Sequence, residues 1–248
     1  MPSHCSDMGF SFNNADEYTA FLQKIFDGGK DVPSKNGNYR KIVIDEKIEF
    51  WIQRMRSGLF KRKSRIAGVE FHFSSANSTL VRFDHWIKPK ENLSGEAYVW
   101  AIYNGEELFP MVINMPDADL HIGLKNGDKI KVQLACFSEE TSLFDTKEDY
   151  EKSQTTEPKY SAEFFIPSGT FSPDGTEKKP TSDIMFSGYI LSAEKRTNSY
   201  TSEGYYYFAV RCQGIVFDVL ADTAFITREP KIGGILSGSF WVSGKVVS

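Results

Sequence analysis

Gly95-Glu96-Ala97-Tyr98-Val99-Trp100-Ala101-Ile102-Tyr103-Asn104-Gly105 is the stretch on which the reading of this chain turns. Aromatic residues alternate with small or branched ones, the two-residue period of a strand, and the closing Asn-Gly is the strongest short-range hairpin signal. Glu106–Met115 then continues as an apolar strand. The same plan returns without a gap at Gly204-Tyr205-Tyr206-Tyr207-Phe208-Ala209-Val210-Arg211-Cys212-Gln213-Gly214, followed by Ile215–Leu220. Gly127 and Gly233 stand twenty-two and nineteen residues beyond the two hairpin glycines. In that register Ile130, Val132, Leu134 and Cys136 fall in phase with Leu236, Gly238, Phe240 and Val242. A repeated strand–hairpin–strand plan is expected.

Upstream, Tyr18, Phe21, Leu22, Ile25 and Phe26 recur at helical spacing. Asn13 or Asn14 supplies the N-cap, and Gly28-Gly29 the stop. A short strand is expected at Phe10–Phe12 before this helix. Tyr39–Ile44, Ile48–Met55 and Ile66–Phe73 read as strands after it, with a turn at Ser57–Ser64. Leu80–Lys88 and Asp128–Phe137 are further strands. Residues 138–159 are acidic and polar and read as a solvated stretch with a short helix at Thr146–Lys152. Tyr160–Ile166, Ile184–Ala193 and Gly234–Val246 complete the strands, and Pro, Gly, Ser and charge mark 167–183 as a linker.

A strand, a hairpin, a connection and a further strand opening on Gly resemble the OB-fold, a small Greek-key barrel. The segment Pro230–Lys245, with its Gly233-Gly234 and alternating Ile235–Val242, carries that resemblance best. The chain is also similar to a group of uncharacterised bacterial proteins with an N-terminal α+β unit and OB-like C-terminal barrels. The resemblance spans residues 80–137 and 184–246 and implies no activity. The expected fold is mainly β (α+β overall): an α+β unit at 1–75, a first OB-like β-barrel domain at 76–166, the linker, and a second at 184–248. An OB barrel usually has five strands; either Tyr160–Ile166 supplies the one the last region lacks, or the barrel is open at that edge.

The net charge is −4 over 248 residues, yet residues 40–90 carry +7 and residues 91–180 carry −9. Such a dipolar chain suits a charged partner or self-association. Cys5, Cys136 and Cys212 make no closed disulfide framework, and two of them sit in apolar runs as small hydrophobes. The first ten residues lack a basic region and an apolar run, and no apolar stretch approaches the ~18 residues of a membrane span. A cytoplasmic protein without a membrane partner is expected.

No catalytic signature is legible. His4, His72, His85 and His121 show no zinc-ligand spacing, and Gly234-Ile235-Leu236-Ser237-Gly238 lacks both the pattern and the context of a nucleophile elbow. In Asp84-His85 the carboxylate orients the imidazole only if the backbone bends, because strand neighbours face opposite ways. The N-terminal element order also resembles a half-module of the vicinal-oxygen-chelate enzymes, for which His4 and Glu70 would be the ligand candidates; only one half-module is legible. No metal or cofactor is expected. The binding candidates are basic and aromatic. Arg54, Arg56, Lys61, Arg62, Lys63 and Arg65 place six positive charges in twelve residues beside Trp51 and Phe60. Tyr98, Trp100, Tyr205, Tyr206 and Tyr207 are strand aromatics able to stack on bases. The chain is read as a non-catalytic binding or protein-interaction module, with single-stranded nucleic-acid binding as the second reading.

Overall fold

The computed structural model describes residues 4–57, 63–87, 93–169 and 179–247. A 3-10 turn at Ser6–Met8 leads through extended, non-strand residues to helix α1 (Ala15–Phe26). Phe10 therefore forms no strand; its ring is buried against Phe21 and Phe50. Asn14 caps α1 by accepting the Glu17 amide at 2.9 Å. Glu17 reaches back to the Asn13 amide at 2.9 Å, so free donors at the helix start are met by side chains.

Among the described residues the strands form two sheets. The first is β1 (Lys30–Pro33), β2 (Gly37–Ile44), β3 (Ile48–Ser57) and β4 (Lys63–Phe73), antiparallel in that order. Strand β1 had no sequence signal, being short and largely exposed. Residues 58–62 of the expected Ser57–Ser64 turn lie outside the described residues. The second sheet contains β5 (Thr79–Ile87), β6 (Gly95–Tyr103), β7 (Glu106–Met115), β8 (Lys129–Phe144), β9 (Phe165–Pro167), β10 (Asp183–Thr197), β11 (Gly204–Cys212), β12 (Ile215–Asp222) and β13 (Ile235–Val247). Helix α2 (Lys147–Ser153) is capped by Thr146 and follows β8.

Strands β8 and β13 organise the second sheet. They pair antiparallel from Ile235↔Phe144 to Val247↔Lys131. The early part of β8 also pairs with β5, and its middle runs parallel to β12 at Ala135–Phe137. Strand β13 does the reverse, pairing first with β10 and then meeting β7 in parallel at Ser243↔Asn114. Two circuits result, β5-β6-β7-β13-β8 and β10-β11-β12-β8-β13, and both contain the same long pair. One buried cluster fills them: Phe186 lies 4.7 Å from Phe240 and 4.8 Å from Phe217, and Phe109 stacks on Phe165 at 4.0 Å.

The repeat is visible in the backbone. Phe83 exchanges hydrogen bonds with Gly127 and Asp128 at 2.9 and 2.8 Å, as Ile190 does with Gly233 and Gly234 at 2.8 and 2.9 Å. Gly127 and Gly233 hold φ of 93° and 82°, a left-handed conformation that favours glycine. Both first strands bulge at the next position, between Phe83 and His85 and between Ile190 and Ser192. The partners there are Val99 and Val210, so the first hairpin is two residues longer than the ungapped glycine match implies. Both hairpins still close on paired positive φ, at Asn104-Gly105 and Gln213-Gly214.

Two expectations are corrected. Residues 138–144 belong to β8 and are not a solvated loop: Ser138, Thr141 and Leu143 are buried while Glu139, Glu140 and Ser142 are exposed. Of the expected Tyr160–Ile166 strand only Phe165 and Ile166 are paired, together with Pro167, at the edge beside β10. Among the described residues no helix is long and apolar enough to cross a membrane.

Candidate functional site

The four-stranded sheet and the segment His4–Phe10 lie against the second circuit. On β11, Phe208 and Val210 enter the common core, while Tyr205, Tyr207 and Ala209 face outward into a separate cluster with Phe10, Phe50 and Phe73. Phe73 stacks on Tyr207 at 5.4 Å, and the Tyr207 hydroxyl donates to Asp218 at 2.8 Å. Burial pushes Asp218 upward, opposed by hydrogen bonds from Ser75, Asn77 and Tyr207. Tyr205 and Tyr207 are therefore interior rings with no face left for a ligand, contrary to their expected role. Trp51 is also buried, its indole N–H donating to Glu49 at 2.9 Å and its ring packed edge-on against Tyr39. Arg54 lies near Asp31 and the Phe26 ring. Arg56, Lys63 and Arg65 fall on β3 and β4, but their side chains, like residues Phe60, Lys61 and Arg62, lie outside the described residues. Tyr206 is half-buried, beside Phe208.

The corresponding face of the first circuit is different. Val99 and Ala101 of β6 point into the core; Tyr98 and Trp100 point outward and stay partly exposed. The bulge after Phe83 gives β5 one extra residue, which turns His85 out opposite Tyr98. Their rings stack at 5.2 Å and 17°, and the His85 side chain is 58% exposed. The bend also brings Asp84 to 2.8 Å from His85 Nδ1. Hydrogen bonds from His85 and Arg82 hold Asp84 below the usual carboxylate range. Arg82 lies over Trp100 at 5.7 Å and donates to Glu107 at 2.5 and 3.0 Å, so its charge is engaged.

Two recesses flank Trp86 at the end of β5. One, about 320 Å³, is lined by His85, Trp86, Ile87, Tyr98, Lys179 and Pro180. The other, about 290 Å³, is lined by Trp86, Leu93, Gly95, Ala118 and Ile122 with Asn36, Ser94 and Asp119 at its polar side. The chain passes closely here: a Cβ at Gly95 would sit 3.0 Å from Ala118 and 3.3 Å from the Trp86 ring. The Trp86 indole N–H is buried without a hydrogen-bond partner. Nothing in the sequence marked Lys179, which reaches this site from the expected linker.

A buried polar seam joins the four-stranded sheet to β8 and β13. Glu49 accepts from Lys245 at 2.7 Å, Lys41 at 2.9 Å and Ser74 at 2.7 Å. Burial raises its pKa, but the two lysines outweigh it and bring it to about 2. His72, fully buried, meets Ser243 Oγ through Nδ1 at 3.0 Å. Burial and the Lys245 charge lower its pKa to about 3, so the ring is neutral at pH 7. These groups are enclosed, and the seam is a structural joint. His4 stacks on Trp241 and pairs with Asp7, while Glu70 accepts from Asn114 and Ser94, so the two do not converge. Among the described residues no group of three metal-ligating side chains exists. Cys5, Cys136 and Cys212 are free and buried.

Residues 142–244 match the family model described as a domain of unknown function from an E. rectale gene description (DUF3881). The matched part runs from the end of β8 to most of β13. No curated protein and no solved structure matches the chain.

Proposed function

We propose that this chain is a non-catalytic binding module built on two OB-like barrels, one drawn mainly from residues 76–166 and one from 184–248. Each circuit is a three-strand meander closed by two long strands, which supports the reading as small Greek-key barrels. One observation carries the functional reading. The outward face of β11 is covered by the chain's own N-terminal unit, whereas the same face of β6 keeps Tyr98 and Trp100 partly exposed beside two recesses. On the covered face aromatic rings stack, and a buried carboxylate collects hydroxyl and amide donors. The open face is the counterpart left for a partner.

The test compares capture by the immobilised 248-residue chain with capture by Tyr98→Leu and Trp100→Ala, using Ile232→Ala as a control on an exposed turn that lines neither recess. A partner lost with the first two, kept with the third and bound again after purification supports the reading. Equal capture by all four proteins overturns it.

Single-stranded nucleic acid is the second reading, favoured by the exposed His85–Tyr98 stack. The open face adds few free cations, since Arg82 is engaged by Glu107 and Asp84. A labelled oligonucleotide held there would release about one counterion, giving a log–log salt slope near −0.7. A slope of about −3 or steeper would move the binding to the basic β3–β4 hairpin.

A further inference from the structure

We propose that the recess bounded by His85, Trp86, Ile87, Tyr98, Lys179 and Pro180 binds a planar aromatic ring carrying a negative charge, of the size of a nucleoside monophosphate. The inference rests on the open face just described and names the ligand chemistry of one part of it.

Three features converge. The stacked His85–Tyr98 pair presents an aromatic plane, and the outer imidazole is more than half exposed, with Trp86 and Pro180 as side walls. Flat rings are the groups that such a surface recognises, by stacking worth more than simple burial. Next, the volume of about 320 Å³ lies at the small end of ligand sites. It suits a single group of nucleotide size, not an extended polymer. Finally, Lys179 brings the positive charge of the rim. Its backbone is fixed from below: Gly169, at φ 69°, packs so tightly that a Cβ there would lie 2.5 Å from the Lys179 carbonyl oxygen. Arg82 offsets one of the two nearby carboxylates, Asp84 and Glu107, and neither lines the recess, so Lys179 is the charge that reaches it among the described residues.

The experiment titrates the full ¹⁵N-labelled chain with adenosine 5′-monophosphate, adenosine, inorganic phosphate and a short single-stranded oligonucleotide. The Trp86 indole N–H signal, assigned with Trp86→Phe, is the local readout. The monophosphate should shift that signal saturably and bind about fivefold to tenfold tighter than adenosine, with no shift from phosphate alone. Lys179→Met should bring the monophosphate down to the adenosine level and leave adenosine unchanged. Tyr98→Leu should weaken both about tenfold. An oligonucleotide that binds no tighter than the monophosphate identifies a free nucleotide-like ligand as the source; tighter binding identifies a strand end. No saturable shift with a Kd below about 10 mM, or binding indifferent to both variants, overturns the proposal. If that happens while Tyr98→Leu and Trp100→Ala still abolish partner capture, the ligand class falls and the binding face stands.

Discussion

The buried His72 should withdraw stability from this protein as pH falls below 6.5, and the size of that contribution follows from its surroundings. The ring is fully buried between β3 and the shared strands, with Ser243 and Gln133 as neutral neighbours, Lys245 and Lys41 disfavouring its charge and Glu49 favouring it. Burial dominates and sets the folded pKa at about 3 against 6.5 in an open chain. Below pH 6.5 the unfolded chain takes up a proton that the folded one refuses, so stability falls with pH until the folded ring titrates near 3. Each pH unit in that window costs about 1.4 kcal/mol, or roughly 2 kcal/mol between pH 6.5 and 5. His72→Gln keeps a polar group for Ser243 and removes the titration. At pH 7 the variant should be less stable by ~1–3 kcal/mol through imperfect hydrogen bonding. At pH 5 that penalty should shrink or vanish, because only the wild type has lost the extra 2 kcal/mol. Asp7, pushed up by burial to about 6, titrates in the same region with the opposite sign. It is present in both proteins, so it cancels in the difference. Urea unfolding followed by tryptophan fluorescence at pH 7 and 5 reads this directly. An unchanged penalty at the two pH values would refute the account of a buried neutral imidazole.

Three further outcomes follow from particular contacts. Glu49→Gln leaves Lys245 and Lys41 without their carboxylate and should cost about 3 kcal/mol at neutral pH. It should also remove the stability that the wild type loses as pH falls from 4.5 to about 2, read by denaturation at pH 4.5 and 2.5. Asn14→Ala removes the acceptor for the Glu17 amide and should cost about 1 kcal/mol, visible in the urea midpoint at constant slope. Gly238→Ala sets a methyl against the Glu140 carbonyl where β13 crosses β8, a backbone contact that no side-chain rotation relieves. Loss of ~3 kcal/mol or more is expected, and a melting temperature within about two degrees of wild type would show that the crossing yields.

What could be read from the sequence were features decided within a few residues. Asn104-Gly105 fixes its hairpin because both residues must hold positive φ, and the boundaries of β6 and β7 came out as expected. Helix α1 was legible from Asn14 and the apolar spacing. Pairings between distant segments were not. Nothing local says that β8 runs beside β13 for its whole length. The second half of β8 hid behind its polarity, because its inward Ser138 and Thr141 satisfy each other at 2.5 Å and need no apolar partner. The same limit misplaced the aromatic candidates. Tyr98 and Tyr207 stand in strands of the same pattern, and only the arrival of Phe73 from the N-terminal unit makes one interior and leaves the other partly exposed. The bulge that turns His85 outward has no signal in Asp84-His85 itself.

The exchange of long strands sets where the open face lies. Without β13, the circuit of β5, β6, β7 and β8 would expose the unpaired edge of β7; without β8, that of β10 to β13 would expose β12. Exposed edges recruit other strands, so each half requires the other's strand for closure. The shared pair therefore sits at the centre with an outward meander on each side. The four-stranded sheet is anchored on that pair through Ser243, Lys245 and Phe137. Its Phe71 and Phe73 and the segment ending at Phe10 build an apolar contact with the second meander. Toward the first it offers instead Glu70, Gln53 and Tyr39, which bond to Asn114, Leu93 and Asp119 near the ends of the strands. Polar contacts of that kind fix orientation without covering an aromatic surface.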